Sequence, residues 1–132
     1  MLLSCSGIVE LASAADAGAI AVELNKLETD SKSCRAYIVV GNPSEAAIQI
    51  LKLELILFRP DAVIERRLAV DLGPVRPNKK SVKTFELEAL PCETIGSILV
   101  NDVIDCRDAT GPLTDCLARL TFSSRAPVQF SK

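Results

Sequence analysis

The sequence predicts an all-β protein, a sandwich of about seven antiparallel strands in two packed sheets. Apolar residues alternate along residues 34–90 with the period of two that is typical of strands. Turn-forming motifs separate these runs at Asn42-Pro43-Ser44, Arg59-Pro60-Asp61 and Gly73-Pro74. With 132 residues, the chain has room for one domain, which we place at residues 18–132.

The first two strands are predicted at residues 19–24 and 34–40. Ile20, Val22 and Leu24 share one face of the first strand. The second strand is apolar on both faces, so we expect it to lie in the centre of a sheet. It ends at Asn42-Pro43-Ser44, because proline has no amide proton to donate and restricts the residue before it.

The longest strand is predicted at residues 48–58, where the apolar phase changes once. Ile48 and Ile50 share one phase, and the apolar residues from Leu51 onwards share the other. A β-bulge between Ile50 and Leu51 would restore one continuous buried face. A helix is the competing interpretation, but alternate leucines would spread around a helix, so a strand is favoured.

Three further strands are predicted at residues 62–72, 81–87 and 95–104. The first carries several charges and Arg66 breaks its apolar phase, so we expect it at a sheet edge. The last strand is predicted at residues 116–122, with a helix as the alternative because Leu117 and Leu120 also fit helical spacing. Seven strands of this kind predict an immunoglobulin-like or fibronectin-III-like β-sandwich.

Several turn motifs resemble one known family. The Asn42-Pro43-Ser44 turn, the Leu57-Phe58 strand end with its following turn, and Arg76-Pro77-Asn78-Lys79 leading to Phe85 resemble the immunoglobulin-like FxLYD-type modules of exported bacterial proteins. The whole chain is also similar to small exported bacterial proteins of unknown function. These resemblances imply a β-sandwich and export, and they imply no activity.

Residues 1–17 resemble a residual or truncated secretory signal segment. They contain no Lys or Arg, their apolar residues are Leu2, Leu3, Ile8, Val9 and Leu11, and they end in Ala12-Ser13-Ala14-Ala15-Asp16-Ala17, which contains cleavage-like patterns of small residues. A short N-terminal helix is the alternative. Export predicts a periplasmic or secreted protein. No run approaches the roughly 20 apolar residues of a transmembrane helix, so no membrane span is expected.

The cysteine count is consistent with export. Cleavage between residues 14 and 18 would remove Cys5 and leave an even number, which predicts disulfide bonds. Three pairings of the remaining four cysteines are possible; the preferred one joins Cys106 to Cys116 across a polar loop and therefore Cys34 to Cys92. Reduced, buried thiols in a cytosolic protein are the alternative.

Charge and composition argue against several functions. The formal net charge of −2 provides no positive field for nucleic acid, so no nucleic-acid partner is expected. The chain has no His, which excludes Ser-His-Asp and Cys-His devices built from this chain alone. We therefore predict that the protein is not an enzyme, with no catalytic residues, no cofactor-binding residues and no cofactor.

An Asp-rich stretch, residues 102–115, provides the alternative hypothesis. Asp102, Asp105 and Asp108 are weak candidates for a metal site, because carboxylates near turn carbonyls suit a hard cation. Ion binding or hydrolytic chemistry at this stretch is the rival function. Solvated turn residues explain the same pattern, since Asp itself favours turns.

A basic cluster provides the other candidate site, formed by Arg76, Lys79, Lys80 and Lys83. It would lie close to Arg66 and Arg67 if the two strands pair. The cluster suits an acidic partner surface or an anionic polysaccharide; a solvated strand edge is the alternative. The leading hypothesis is an exported, disulfide-stabilised module that binds another exported protein or has a structural or accessory role.

Overall fold

The computed structural model describes residues 18–132, so the expected signal segment and Cys5 lie outside the described residues. This part of the chain forms two β-sheets. The elements are β1 (Ile20–Asp30), β2 (Ser33–Asn42), β3 (Ile50–Phe58), β4 (Ile64–Asp71), β5 (Lys79–Leu87), a 3-10 turn (Cys92–Thr94), β6 (Ser97–Asp108), β7 (Gly111–Pro112), α1 (Cys116–Arg119), β8 (Leu120–Ser124) and β9 (Gln129–Ser131). The predicted all-β sandwich is thus confirmed at the level of class.

The first sheet has the strand order β5-β2-β1-β8, and the second has the order β4-β3-β6-β7, with β9 also paired to β6. β2 lies in the centre of its sheet and β4 lies at an edge, as predicted. Two pairings differ from the antiparallel expectation, since β8 runs parallel to β1 and β9 runs parallel to β6. The described residues form nine strands rather than about seven, because β7 and β9 are too short to show a periodic pattern.

The core is aliphatic and lies between the sheets. Alternate residues of β1 and β2 face it from one side, and those of β3 and β6 face it from the other. Its largest fully buried side chains include Ile20, Leu24, Leu53, Leu57 and Leu120. An edge-to-face pair, Phe122 and Phe130, links β8 to β9 with ring centroids 5.0 Å apart. The period-two pattern in the sequence therefore reports the buried face directly.

The bulge predicted between Ile50 and Leu51 is not found at that place. These residues pair in register with Arg107 and Cys106. The phase changes earlier, at Gln49, where the chain bends and the Gln49 amide donates to the Arg107 carbonyl. Ile48 is buried and forms a separate bridge to Val75. The register of β3 against β6 shifts further along the strand, between Lys52 and Leu53 and between Glu54 and Leu55.

The last predicted strand, residues 116–122, divides into two elements. α1 accounts for the helical spacing, and β8 begins at Leu120. α1 covers less than two turns because Leu120 already has an extended backbone. Among residues 18–132, no helix has the length and apolarity that a membrane span requires.

Two disulfide bonds connect these elements in the pairing preferred from the sequence. Cys34 in β2 joins Cys92, which begins the 3-10 turn before β6, across a separation of 58 residues. Cys106 in β6 joins Cys116 at the start of α1, across 10 residues. The first bond ties the first sheet to the connection between the sheets, and the second holds α1 against β6.

The β3–β4 hairpin contains a residue in the left-handed region. Ala62 has φ 70°, a conformation that disfavours residues with a side chain. The turn forms all the same: the Ala62 amide donates to the Arg59 carbonyl, and the Asp61 carboxylate accepts from the Val63 amide. Ala62 therefore occupies a position at which glycine is preferred.

We predict that Ala62→Gly raises the free energy of unfolding by about 1 kcal/mol, because it relieves the left-handed strain. The matched control is Ala69→Gly in the middle of β4, which should lower it by about 0.5–1 kcal/mol through lost backbone restriction. Chemical denaturation of both variants measures the two changes. Equal destabilisation by both substitutions would contradict this account of the turn.

Candidate functional site

The chain passes from the second sheet to the first between β4 and β5. Leu72 and Val75 are buried in this crossover. The Leu72 amide donates to the Leu51 carbonyl, and Val75 and Ile48 exchange two backbone hydrogen bonds of 2.7 and 3.0 Å. β4 and β5 therefore belong to different sheets, so the condition under which the basic cluster would lie close to Arg66 and Arg67 is not met.

Asn42 holds the crossover in place. It is 2% exposed and is the one buried polar side chain among residues 18–132. Its Oδ1 accepts from the Ser44 amide and hydroxyl, and its Nδ2 donates to the Ala46 carbonyl. The Ser44 carbonyl in turn accepts from the Asn78 amide at 3.0 Å. The Asn42-Pro43-Ser44 motif thus fixes the backbone immediately before Lys79.

The structure separates the four residues of the predicted basic cluster. Lys79 and Lys80 lie side by side at the start of β5 and line one depression. Lys83 turns away and donates to the Pro74 carbonyl, and Arg76 is exposed on the crossover. Of the four, only Lys79 and Lys80 are brought together at a concave surface, which we call the Lys79/Lys80 surface.

These basic side chains differ from most other cations of the described chain in having no acidic partner. Within residues 18–132, no carboxylate oxygen lies within 4.0 Å of Arg76, Lys79, Lys80 or Lys83. In contrast, Arg35 on the same sheet contacts Glu86 at 2.9 Å and Asp30 at 2.7 Å. Lys79 and Lys80 therefore form no ion pair within the described fold.

Arg66 and Arg67 do not join this surface. Arg67 donates to Glu54 on the neighbouring strand at 2.7 Å. Arg66 donates to the Glu88 carbonyl, beyond the opposite end of β5. The predicted proximity depended on β4 pairing with β5, and the crossover to another sheet removes it.

The depression beside Lys79 and Lys80 has a volume of about 550 Å³ and lies on the outer face of the first sheet. Its floor is made of small residues from neighbouring strands. Gly41 pairs with Ala21 on one side and with Lys80 on the other, so this row has little side-chain bulk. The adjacent row pairs Val39 with Val82, which is 63% exposed. The surface is therefore apolar at its centre and cationic at one side.

Sequence reasoning found the cations but missed this depression. The available signal was the small size of Ala21 and Gly41 at outward positions of strands, and of Ala19 directly before β1. This signal can be interpreted only when the strand register is known. Ala21 and Gly41 are adjacent because they pair across β1 and β2.

In the described chain, the Asp residues named as metal candidates make local hydrogen bonds. Within residues 18–132, no three His, Cys, Asp or Glu side chains are arranged to hold an ion. Asp102 accepts from the Val103 amide, and Asp105 accepts from Arg107 at 2.9 Å. Asp108 closes the β6–β7 turn by accepting from Thr110 and Gly111. These carboxylates are used in local contacts.

The electrostatics of Asp108 agree with that structural role. Hydrogen bonds from the Thr110 hydroxyl and then from the Thr110 and Gly111 amides hold its pKa below the usual value. A carboxyl group with a lowered pKa is less suited to act as a general acid near neutral pH. A cleft of about 300 Å³ does lie between residues 102–106 and 112–117, lined by Asp102 and Asp105.

Comparisons with known proteins support the fold only. No protein-family model matches the chain, and no curated protein matches it. Among solved structures, IrmA from Escherichia coli is similar, with a TM-score of 0.56 and 12% sequence identity. The similarity covers 79% of this chain and 90% of that chain. At 12% identity, the similarity shows only that the two proteins share a β architecture.

We predict that Asn42→Ala lowers the free energy of unfolding by about 1–3 kcal/mol, because it leaves the Ser44 and Ala46 groups without their buried partner. The matched control is Asn101→Ala, which removes one exposed hydrogen bond to Glu54 and should change stability by less than about 0.5 kcal/mol. Denaturant unfolding of both variants checks this. A similar change in the two variants would contradict the role given to Asn42.

Proposed function

We propose that this protein is an exported, disulfide-stabilised, immunoglobulin-like or fibronectin-III-like module that binds an acidic protein partner through the Lys79/Lys80 surface. The observation that carries the proposal is the combination of unpaired cations and an apolar depression at one place on a sheet. Surfaces that combine an apolar centre with charged sides are typical of protein interfaces.

The strand order supports the finer fold assignment. β2 pairs with β1 and with β5, while β3 pairs with β4 and with β6. The chain thus exchanges between sheets in the manner of Greek-key sandwiches. The resemblance of the Asn42-Pro43-Ser44 and Arg76-Pro77-Asn78-Lys79 motifs to FxLYD-type modules favours the same assignment.

Two disulfide bonds support export. Such bonds persist in oxidising compartments and are rare in the cytosol. They agree with the signal-like composition of residues 1–17 and with the even number of cysteines that cleavage would leave.

A binding role is favoured over catalysis by the chemistry of the chain. The sequence has no His for acid-base work near neutral pH. The carboxylates of the Asp-rich stretch are used in local contacts, whereas the cations of the Lys79/Lys80 surface have no carboxylate partner among residues 18–132. Of the two candidate sites, the Lys79/Lys80 surface is therefore the one that brings charged side chains without an ion-pair partner together at a depression.

We predict that protein recovered from its native compartment reacts with a thiol-alkylating reagent only after reduction. Both disulfides would be intact, so the mass of the unreduced protein should not change. After reduction, each of Cys34, Cys92, Cys106 and Cys116 should add one label. Labelling of all four without reduction would overturn export and the disulfide-stabilised form together.

The binding role is tested by a photo-crosslinking residue placed at Val82 and, as a control, at the exposed Ile64 of β4. We predict that a protein partner is crosslinked from position 82 and not from position 64. The double substitution Lys79→Glu with Lys80→Glu should reduce this crosslink roughly tenfold, because it reverses the charge of the surface.

The matched control for charge is Lys32→Glu with Lys52→Glu, which changes the net charge equally at exposed positions on other parts of the fold. We expect it to keep the crosslink. Thermal unfolding of both double variants shows whether the fold is retained. If both variants lose the crosslink equally, or if position 64 captures the same partner, the Lys79/Lys80 surface is not the binding site.

A further inference from the structure

We propose that the Lys79/Lys80 surface recognises an extended acidic polypeptide segment that places one aliphatic side chain in the depression formed by Ala19, Ala21 and Gly41. This proposal rests on the proposed function and adds the chemistry of the partner. An acidic segment with one aliphatic side chain would contact the two lysines and the apolar depression at the same time.

The pairing of the strands defines where the aliphatic side chain would lie. Ala21, Gly41 and Lys80 form one row across β1, β2 and β5. A Cβ built on Gly41 would lie 3.8 Å from Lys80 Cγ and 3.9 Å from Ala21 Cβ, which are ordinary contact distances. The row can therefore receive side-chain atoms above Gly41 without moving the backbone.

The charges around the depression select an acidic ligand. Lys79 and Lys80 line one side, and no carboxylate within residues 18–132 pairs with them. Glu23 lies on β1, two strands away from β5. Hydrogen bonds from Asn25 and Arg125 lower its pKa, and the charges of Arg125 and Lys80 add to this effect. Glu23 forms its ion pair with Arg125, so Lys79 and Lys80 keep no carboxylate within 4.0 Å among residues 18–132.

The lining residues favour a polypeptide over two other anionic ligands. No aromatic residue lines the depression, and sugar rings are usually held by aromatic faces. A net charge of −2 gives weak attraction to an anionic membrane, for which larger basic clusters are typical. The small apolar floor suits an aliphatic side chain, whose burial favours binding in proportion to the area covered.

The test uses synthetic probe peptides of the form Gly-Asp-Glu-X-Asp-Glu-Gly, in which X is Ala, Val, Leu or Phe. Binding to the isotopically labelled protein is followed by NMR. We expect saturable shifts of the Ala21, Gly41 and Lys80 amides, with the Leu peptide binding about tenfold more tightly than the Ala peptide. A version with Lys in place of each acidic residue should not bind.

Gly41→Val is the discriminating variant, because it fills the depression while β-branched residues are favoured in strands. It should weaken the Leu peptide about tenfold and bring its affinity to that of the Ala peptide. The control, Thr84→Val, places the same residue at an exposed position of β5 outside the depression, and binding should be kept.

Several results would overturn the proposal. These are the absence of saturable binding below about 1 mM for every peptide, equal affinity of the Ala and Leu peptides, or unchanged binding by Gly41→Val. Tighter binding to phosphatidylserine vesicles or to polygalacturonate would assign the surface to a membrane or a polysaccharide. Self-association of the protein through the same amides, with no effect of peptide, would assign it to a second copy.

The outcome can be separated from that of the proposed function. If Lys79→Glu with Lys80→Glu abolishes the partner crosslink but Gly41→Val does not weaken it, the surface binds a partner by charge and the apolar anchor is wrong. If neither substitution affects the crosslink, both proposals fail.

Discussion

Asn42 is the buried polar side chain on which the path between the two sheets depends. A chain that leaves one sheet and joins the other must satisfy its backbone groups during the passage, because unpaired buried amides are costly. Asn42 satisfies the Ser44 and Ala46 groups, and Ser44 then accepts from Asn78. The same contacts that let β4 and β5 belong to different sheets also set the start of β5, where Lys79 and Lys80 are displayed.

Much of the architecture could be predicted from the sequence, because alternation reports burial. β2 was expected in the centre of a sheet and β4 at an edge, and both lie there. Alternation does not report which strands are neighbours, so the sequence left open whether β5 pairs with β4, and the structure pairs β5 with β2. The depression could not be predicted for the same reason, since Ala21 and Gly41 become adjacent only through the register.

The charged residues fall into two groups with different uses. Arg35, Arg67 and Arg125 are paired with carboxylates across neighbouring strands. Exposed pairs of this kind contribute little to stability individually, yet they leave no unbalanced field. The Lys79/Lys80 surface has no such ion pair within residues 18–132, and an apolar floor lies beside the two lysines. The sequence pattern identifies the charged residues, and the contacts in the structure show which of them form ion pairs.

Amide hydrogen exchange of the protein with and without its native partner tests the central claim most directly. The account predicts that the partner protects residues 19–21, 39–43 and 78–82, which are remote in sequence and meet at the Lys79/Lys80 surface. Protection confined to residues 102–117, beside the Asp-rich cleft, would contradict it and assign binding to that cleft, which borders β6 of the second sheet.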